Sequence, residues 1–65
     1  MTKLQENVLH SIRTHPGDRF AVILKRVTTH PEIDYRNVDR AIQALRRSGL
    51  IEYKHGAWWA MRRWP

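Results

Sequence analysis

The segment from Asp34 to Ile51 constrains this chain more than any other stretch. Val38, Ala41, Ile42 and Leu45 recur at helical spacing, so one stripe of a helix is apolar and must be covered by other elements. Tyr35, Arg36, Asp39, Arg40, Gln43, Arg46 and Arg47 fall away from that stripe. Asp34 suits the N-cap, and Gly49 suits the position just past the helix end, where the backbone turns left-handed. The spacing predicts a helix over about 35–48, followed at once by a strand. The rest of the chain must therefore supply the other side of a core.

Sixty-five residues make one domain with no room for a second core. The sequence has no cysteine, which excludes disulfides and thiolate metal sites. A domain this small then depends on large apolar groups, and three Trp, two Tyr and one Phe supply much area per residue. Thr2 with Gln5 three residues on has the form of a capping box. Leu4, Val8, Leu9 and Ile12 follow as an apolar stripe, which predicts helix 1 over about 3–14. Thr14-His15-Pro16-Gly17 stops it. Asp18 is the next expected cap, and Phe20, Ile23, Leu24 and Val27 give the buried side of helix 2, over about 19–29, with Lys25 and Arg26 outside. The run Phe20-Ala21-Val22-Ile23 is also strand-like, so a short strand leading into this helix stays open. Thr28-Thr29-His30-Pro31 ends the element with Pro31 as breaker. Glu32-Ile33 connects to Asp34, with Ile33 expected to tuck under the turn as a core residue.

Residues 50–61 read as a hairpin closed by His55-Gly56. A two-residue loop pairs Lys54 with Ala57, Tyr53 with Trp58, Glu52 with Trp59 and Ile51 with Ala60. Alternation puts Ile51, Tyr53, Trp58 and Ala60 on one face, the expected core side, and Glu52, Lys54 and Trp59 on the other. The fold class expected is α+β, mainly α: three helices and a C-terminal hairpin.

Twelve Lys and Arg against six Asp and Glu give a net charge of +6, which attracts polyanions. Residues 1–33 carry five basic and three acidic side chains, and residues 34–65 carry seven and three, so the excess concentrates on the predicted third helix and hairpin. Arginines with Gln and Tyr on one exposed helix face suit the base edges and phosphates of a DNA groove. Arg36 and Arg40, spaced i, i+4, share a face at about 6 Å. The bland reading of the same residues is a solvated face with intrahelical pairs such as Arg36 with Asp39.

Other chemistries find little support. His10, His15, His30 and His55 have no metal-ligand spacing. Ser11 and Ser48 sit in no nucleophile elbow, and no Gly-rich phosphate loop occurs. Neither an enzyme nor a small-molecule cofactor is expected. No apolar run approaches the roughly 20 residues of a membrane span and no signal-peptide pattern appears, so a cytoplasmic, nucleoid-associated protein is expected, with no membrane partner. Trp59 and Trp64, with Arg62 and Arg63, are candidates for an interface. Three readings of Trp59 compete: contact with a partner chain, stacking on a base or sugar, or partial burial under the tail.

The order helix, helix, turn, helix, Gly, hairpin resembles the winged helix-turn-helix family. Its local carriers are the run from Val38 to Ile51, with Val, Arg, Ala, Ile, Leu and then Gly49-Leu50-Ile51, and Gly56-Ala57-Trp58-Trp59 at the hairpin, where the family packs an aromatic inward. The likeness covers about residues 4–61. It implies that the third helix enters the major groove of double-stranded DNA and that the hairpin is the wing. By position, Tyr35, Arg36, Asp39, Arg40 and Gln43 would face bases, Arg46 and Arg47 would meet phosphates, and Lys54 and His55 would sit at the wing tip; Asn37 joins them as a DNA-binding residue. Two departures stand out: the link from Thr28 to Asp34 is longer than the tight turn of the simplest members, and Asp39 is acidic in a place that must approach DNA. Asp39 could accept from a cytosine amino group or pair with Arg36 or Arg40. The resemblance implies a transcription regulator or a recombination or architectural factor of bacterial, plasmid or phage type, acting as a homodimer or a cooperative array on DNA. The alternative is a host-directed phage factor of the same fold, gripping an acidic protein surface through its Trp-rich hairpin.

Overall fold

Thr2 opens the first helix as its sequence dictates. Its hydroxyl accepts from the Gln5 N–H at 3.1 Å, and its own N–H donates to Gln5 Oε1 at 3.1 Å, so both halves of the capping box form. The computed structural model describes residues 1–61. Its elements are α1 (Lys3–Thr14), α2 (Phe20–Val27), α3 (Pro31–Arg47), β1 (Ile51–Lys54) and β2 (Ala57–Ala60). This is an α+β, mainly α arrangement consistent with a winged helix.

The core lies between the three helices and the base of the hairpin. Val8, Leu9 and Ile12 of α1, Ile23 of α2, Val38, Ala41, Ile42 and Leu45 of α3, Ile51 and Trp58 form one buried cluster, ringed by Leu4, Phe20, Leu24, Val27, Leu50 and Ala60. Burying each large aliphatic contributes about 1.5–3 kcal/mol, and the stripes expected on all three helices are the ones used.

The boundaries around α2 and α3 depart from expectation. Helix α2 starts at Phe20, with Arg19 as its N-cap residue and no side-chain cap bond. Asp18 does not cap it, because its backbone is engaged elsewhere. Asp18 bridges Trp58 in antiparallel fashion: the Trp58 N–H donates to the Asp18 carbonyl at 3.0 Å, and the Gly17 N–H to the Trp58 carbonyl at 2.9 Å. The extended piece thus falls just before the strand-like run, and Phe20-Ala21-Val22-Ile23 itself is helical. The Asp18 carboxylate turns to Arg26.

Helix α2 ends at Val27, short of 29, and α3 begins at Pro31 rather than 35. Pro31 starts a helix here instead of only stopping one, since the first helical position has no N–H bond to lose. Asp34 is therefore not the N-cap but lies one turn inside α3, where it accepts from the Thr28 hydroxyl. The same hydroxyl accepts from the His30 N–H at 3.0 Å. Only Thr28, Thr29 and His30 separate the two helices, so the long link expected from sequence is a tight turn of helix-turn-helix length. Ile33, expected in the core, is 71% exposed.

The far end of α3 closes as expected. Gly49 has φ +75°; its N–H donates to the Arg46 carbonyl at 3.0 Å and the Leu50 N–H to the Leu45 carbonyl at 3.1 Å, the two bonds of a Schellman motif. The hairpin pairs Ile51 with Ala60, Glu52 with Trp59, Tyr53 with Trp58 and Lys54 with Ala57, the register read from the two-residue loop. His55 (φ +54°) and Gly56 (φ +75°) are both left-handed, the conformation of a type I′ turn.

Candidate nucleic-acid interface

At about 100° per residue, the residues opposite the buried stripe of α3 are Arg36, Arg40, Gln43 and Arg47. Arg36, Arg40 and Arg47 are exposed, and Gln43 is half-buried. Tyr35, Asp39 and Arg46 occupy one flank and are exposed, as is Asn37 on the other. Every helix residue assigned to a groove-facing role thus lies outside the core. Asn37 and Arg40 line a shallow cleft with Thr2, Leu4 and Gln5, so the start of α1 borders this face.

The charges on the face are not neutralised from within. Among the described residues the ion pairs are Arg26 with Asp18 and Lys54 with Glu52. The intrahelical pairs of Asp39 with Arg36 or Arg40 do not form. Of the two other carboxylates on α3, Asp34 is turned to Thr28 and Glu32 is exposed. Among the described residues Arg36 is the one arginine of α3 with a side-chain partner: its Nε–H donates to the Tyr35 hydroxyl at 3.3 Å, and its guanidinium carbon lies 5.8 Å from the Tyr35 ring centroid. That contact leaves the terminal nitrogens of the fork unused.

The wing carries less free charge than its composition suggests. Lys54 Nζ sits 3.3 Å from Glu52 Oε1, a surface pair worth at most about 1 kcal/mol. His55 is exposed at the tip. Tyr53 shares the face of Trp58, with ring centroids 4.9 Å apart, yet is 53% exposed, against the core role expected of it. Ile51 at the base of the strand reaches the core, whereas Tyr53, two residues on, overhangs it. Alternation fixes which face a residue is on, not whether anything covers that face.

The two hairpin tryptophans are engaged within the monomer. Trp58 is buried in the core. Trp59 is half-buried: its indole N–H donates to the Lys54 carbonyl at 3.2 Å, and a Cβ placed on Gly17 would lie 3.0 Å from its ring. The interface assignments made for Arg62, Arg63 and Trp64 lie outside the described residues.

Two features carried no sequence signal. One is Ile33, whose exposure on the outward side of α3 depends on the helix starting early. The other is the tie formed by Arg26 with Asp18 and with the buried Ser11, whose Oγ accepts from Arg26 Nη1 at 3.2 Å; it links α1, α2 and the segment before α2. No helix among the described residues is long and apolar enough to cross a membrane. No family model matches the chain, and no curated protein or solved structure matches it.

Proposed function

We propose that the protein binds double-stranded DNA, with α3 in the major groove and the hairpin against the flanking backbone, as a regulator or architectural factor. The observation that carries this reading is the face of exposed Arg36, Arg40 and Arg47 around a half-buried Gln43, which meets no carboxylate within ion-pairing distance among the described residues. A helix of this width fits the major groove, and arginine forks match guanine while glutamine matches adenine. Arg46 on the flank and Arg47 near the helix end suit phosphate contact, which positions a protein on the duplex without reading sequence. The turn between α2 and α3 supports the same reading, since its three residues, Thr28 to His30, match the length of a helix-turn-helix connection. A domain of this size gains specificity through a homodimer or adjacent copies on the duplex.

A non-enzymatic role is part of the proposal. The buried Ser11 hydroxyl accepts from Arg26, and neither it nor Ser48 is hydrogen-bonded to a histidine among the described residues. The alternative of a protein-binding hairpin would have to use what Trp58 and Trp59 leave free, since both rings are already in contact with their own chain.

The test is fluorescence anisotropy with a labelled random-sequence duplex at about 50 and 200 mM salt. Binding at the lower salt that weakens steeply at the higher supports the reading, because each phosphate contact adds about 0.9 to the logarithmic salt slope. No binding at the lower salt removes DNA as the ligand and favours an acidic protein surface. Stronger competition by single-stranded DNA or RNA than by duplex would replace the groove reading with a single-strand one.

A further inference from the structure

Ile33 is the most exposed of the large hydrophobic side chains among the described residues, at 71%. It stands third in α3, in the first turn of a helix whose N–H groups favour acidic neighbours. A β-branched residue there gains no burial and has only modest helix propensity. Most of its side chain lies in solvent.

Its placement relative to the charged face is more informative. Ile33 precedes Arg36 by three residues, Arg40 by seven, Gln43 by ten and Arg47 by fourteen. On a helix with 3.6 residues per turn these separations put Ile33 about 20–40° around the axis from Arg40 and Arg47 and about 60–80° from Arg36 and Gln43. The outward face of α3 therefore carries apolar, cation, cation, amide, cation from its N-terminal end, with Ile33 at the edge beside Arg40. In helix-turn-helix docking the N-terminal part of the groove helix is the part that meets base edges. Apolar groups on those edges are few: in the major groove the thymine C5 methyl alone distinguishes a base by apolar contact.

We infer that Ile33 reads a thymine methyl in the major groove and so sets part of the sequence preference of α3. The inference rests on the DNA reading above and deepens it. The rise between Ile33 and Arg36 is about 4.5 Å, against about 3.4 Å per base step, so the thymine lies within one or two steps of the base that Arg36 contacts. Val22 of α2 and Tyr35 of α3 are also exposed, at 42% and 45%. Val22 is on a different helix, and Tyr35 already holds Arg36, which leaves Ile33 as the apolar contact on the ridge.

The experiment uses the full chain and a duplex selected from a random-sequence pool. Each thymine of that duplex is replaced in turn by deoxyuridine, which removes the methyl and nothing else. One replacement is expected to weaken wild-type binding about three- to five-fold, the effect of one methyl leaving an apolar contact. Ile33→Ala is expected to bind the thymine duplex weaker by a similar factor and to show no further loss at that deoxyuridine. Because the side chain is exposed, the variant should melt within a few degrees of wild type, and circular dichroism verifies this. The inference is overturned if no deoxyuridine weakens wild-type binding, or if the penalty persists in full in Ile33→Ala. Equal weakening of Ile33→Ala on all duplexes also overturns it. Failure to bind any duplex at low salt overturns the DNA reading, and this assignment with it. Duplex binding with no methyl effect leaves the groove helix standing and turns Ile33 toward a protein surface instead.

Discussion

Gly17 holds a backbone that few other residues could adopt there. Its φ is +88°, and a Cβ would come within 3.0 Å of the Trp59 ring. Two penalties coincide, left-handed strain of about 1–2 kcal/mol and displacement of a half-buried indole. Gly17→Ala is expected to destabilise the protein by about 1–3 kcal/mol, visible as a melting temperature lower by at least about 4 °C. A variant that melts as wild type would show that Trp59 has free room to move. The arginines of α3 allow a contrast at the same scale. Arg40, on the outward ridge, should lose affinity and sequence preference together when replaced by Ala, costing about 1–3 kcal/mol on the preferred duplex. Arg46→Ala, on the flank, should weaken all duplexes alike and lower the salt slope by about one. Operator affinity untouched in Arg40→Ala would mean that the ridge is not the reading face. Neither change should alter folding, since both side chains are exposed and form no ion pair among the described residues.

At the level of elements, the turn between α2 and α3 decides the candidate site. Its three residues are held by a single hydroxyl: Thr28 donates to Asp34 and accepts from His30 N–H. Thr28→Val keeps the shape and removes both bonds. The expected cost is about 1–2 kcal/mol, since a part-buried carboxylate and an amide lose their partner. Hydrogen exchange should quicken at the Ile33 and Asp34 amides, which donate to the His30 carbonyl, while the α1 amides remain protected. The hairpin is fixed differently. Its tip needs two left-handed residues, His55 and Gly56, and its base is tied down by Ile51 and Trp58 in the core. Between these points the hairpin is less covered, and Tyr53 is half in solvent.

The whole molecule is one core without a disulfide to support it. The net stability of such a domain is about 3–5 kcal/mol, so a single cavity is a large fraction of it. Ile42 is fully buried at the centre of the α3 stripe, and Ile42→Ala should cost about 2–5 kcal/mol. Urea titration should find that variant largely unfolded or nearly so at 25 °C, whereas Arg36→Ala in the same helix should shift stability by no more than about 0.5 kcal/mol. A cooperative wild-type-like transition for Ile42→Ala would mean that the core tolerates or refills the cavity. The charge belongs to this scale too. A surplus of six cannot be cancelled inside so small a surface, and among the described residues only Arg26 and Lys54 find carboxylates.

Much of this was legible in the residues themselves. The capping box at Thr2, the apolar stripes of α1 to α3, the closure at Gly49 and the pairing register of the hairpin all depend on neighbours within a few positions, where spacing and local hydrogen bonding suffice. Tertiary contacts decided the rest. Asp18 gave up its cap because Trp58, forty residues on, took its carbonyl. Pro31 is a local exception: it begins a helix rather than ending one, with the turn before it tied by the Thr28–Asp34 bond six positions apart, because proline also suits the first helical position. Ile33 and Tyr53 were left largely in solvent, at 71% and 53%, because among the described residues no other element covers them. Local chemistry determines the direction in which a side chain leaves the backbone. Whether it meets protein or water depends on elements that approach from afar, and that depends on how one small core is closed.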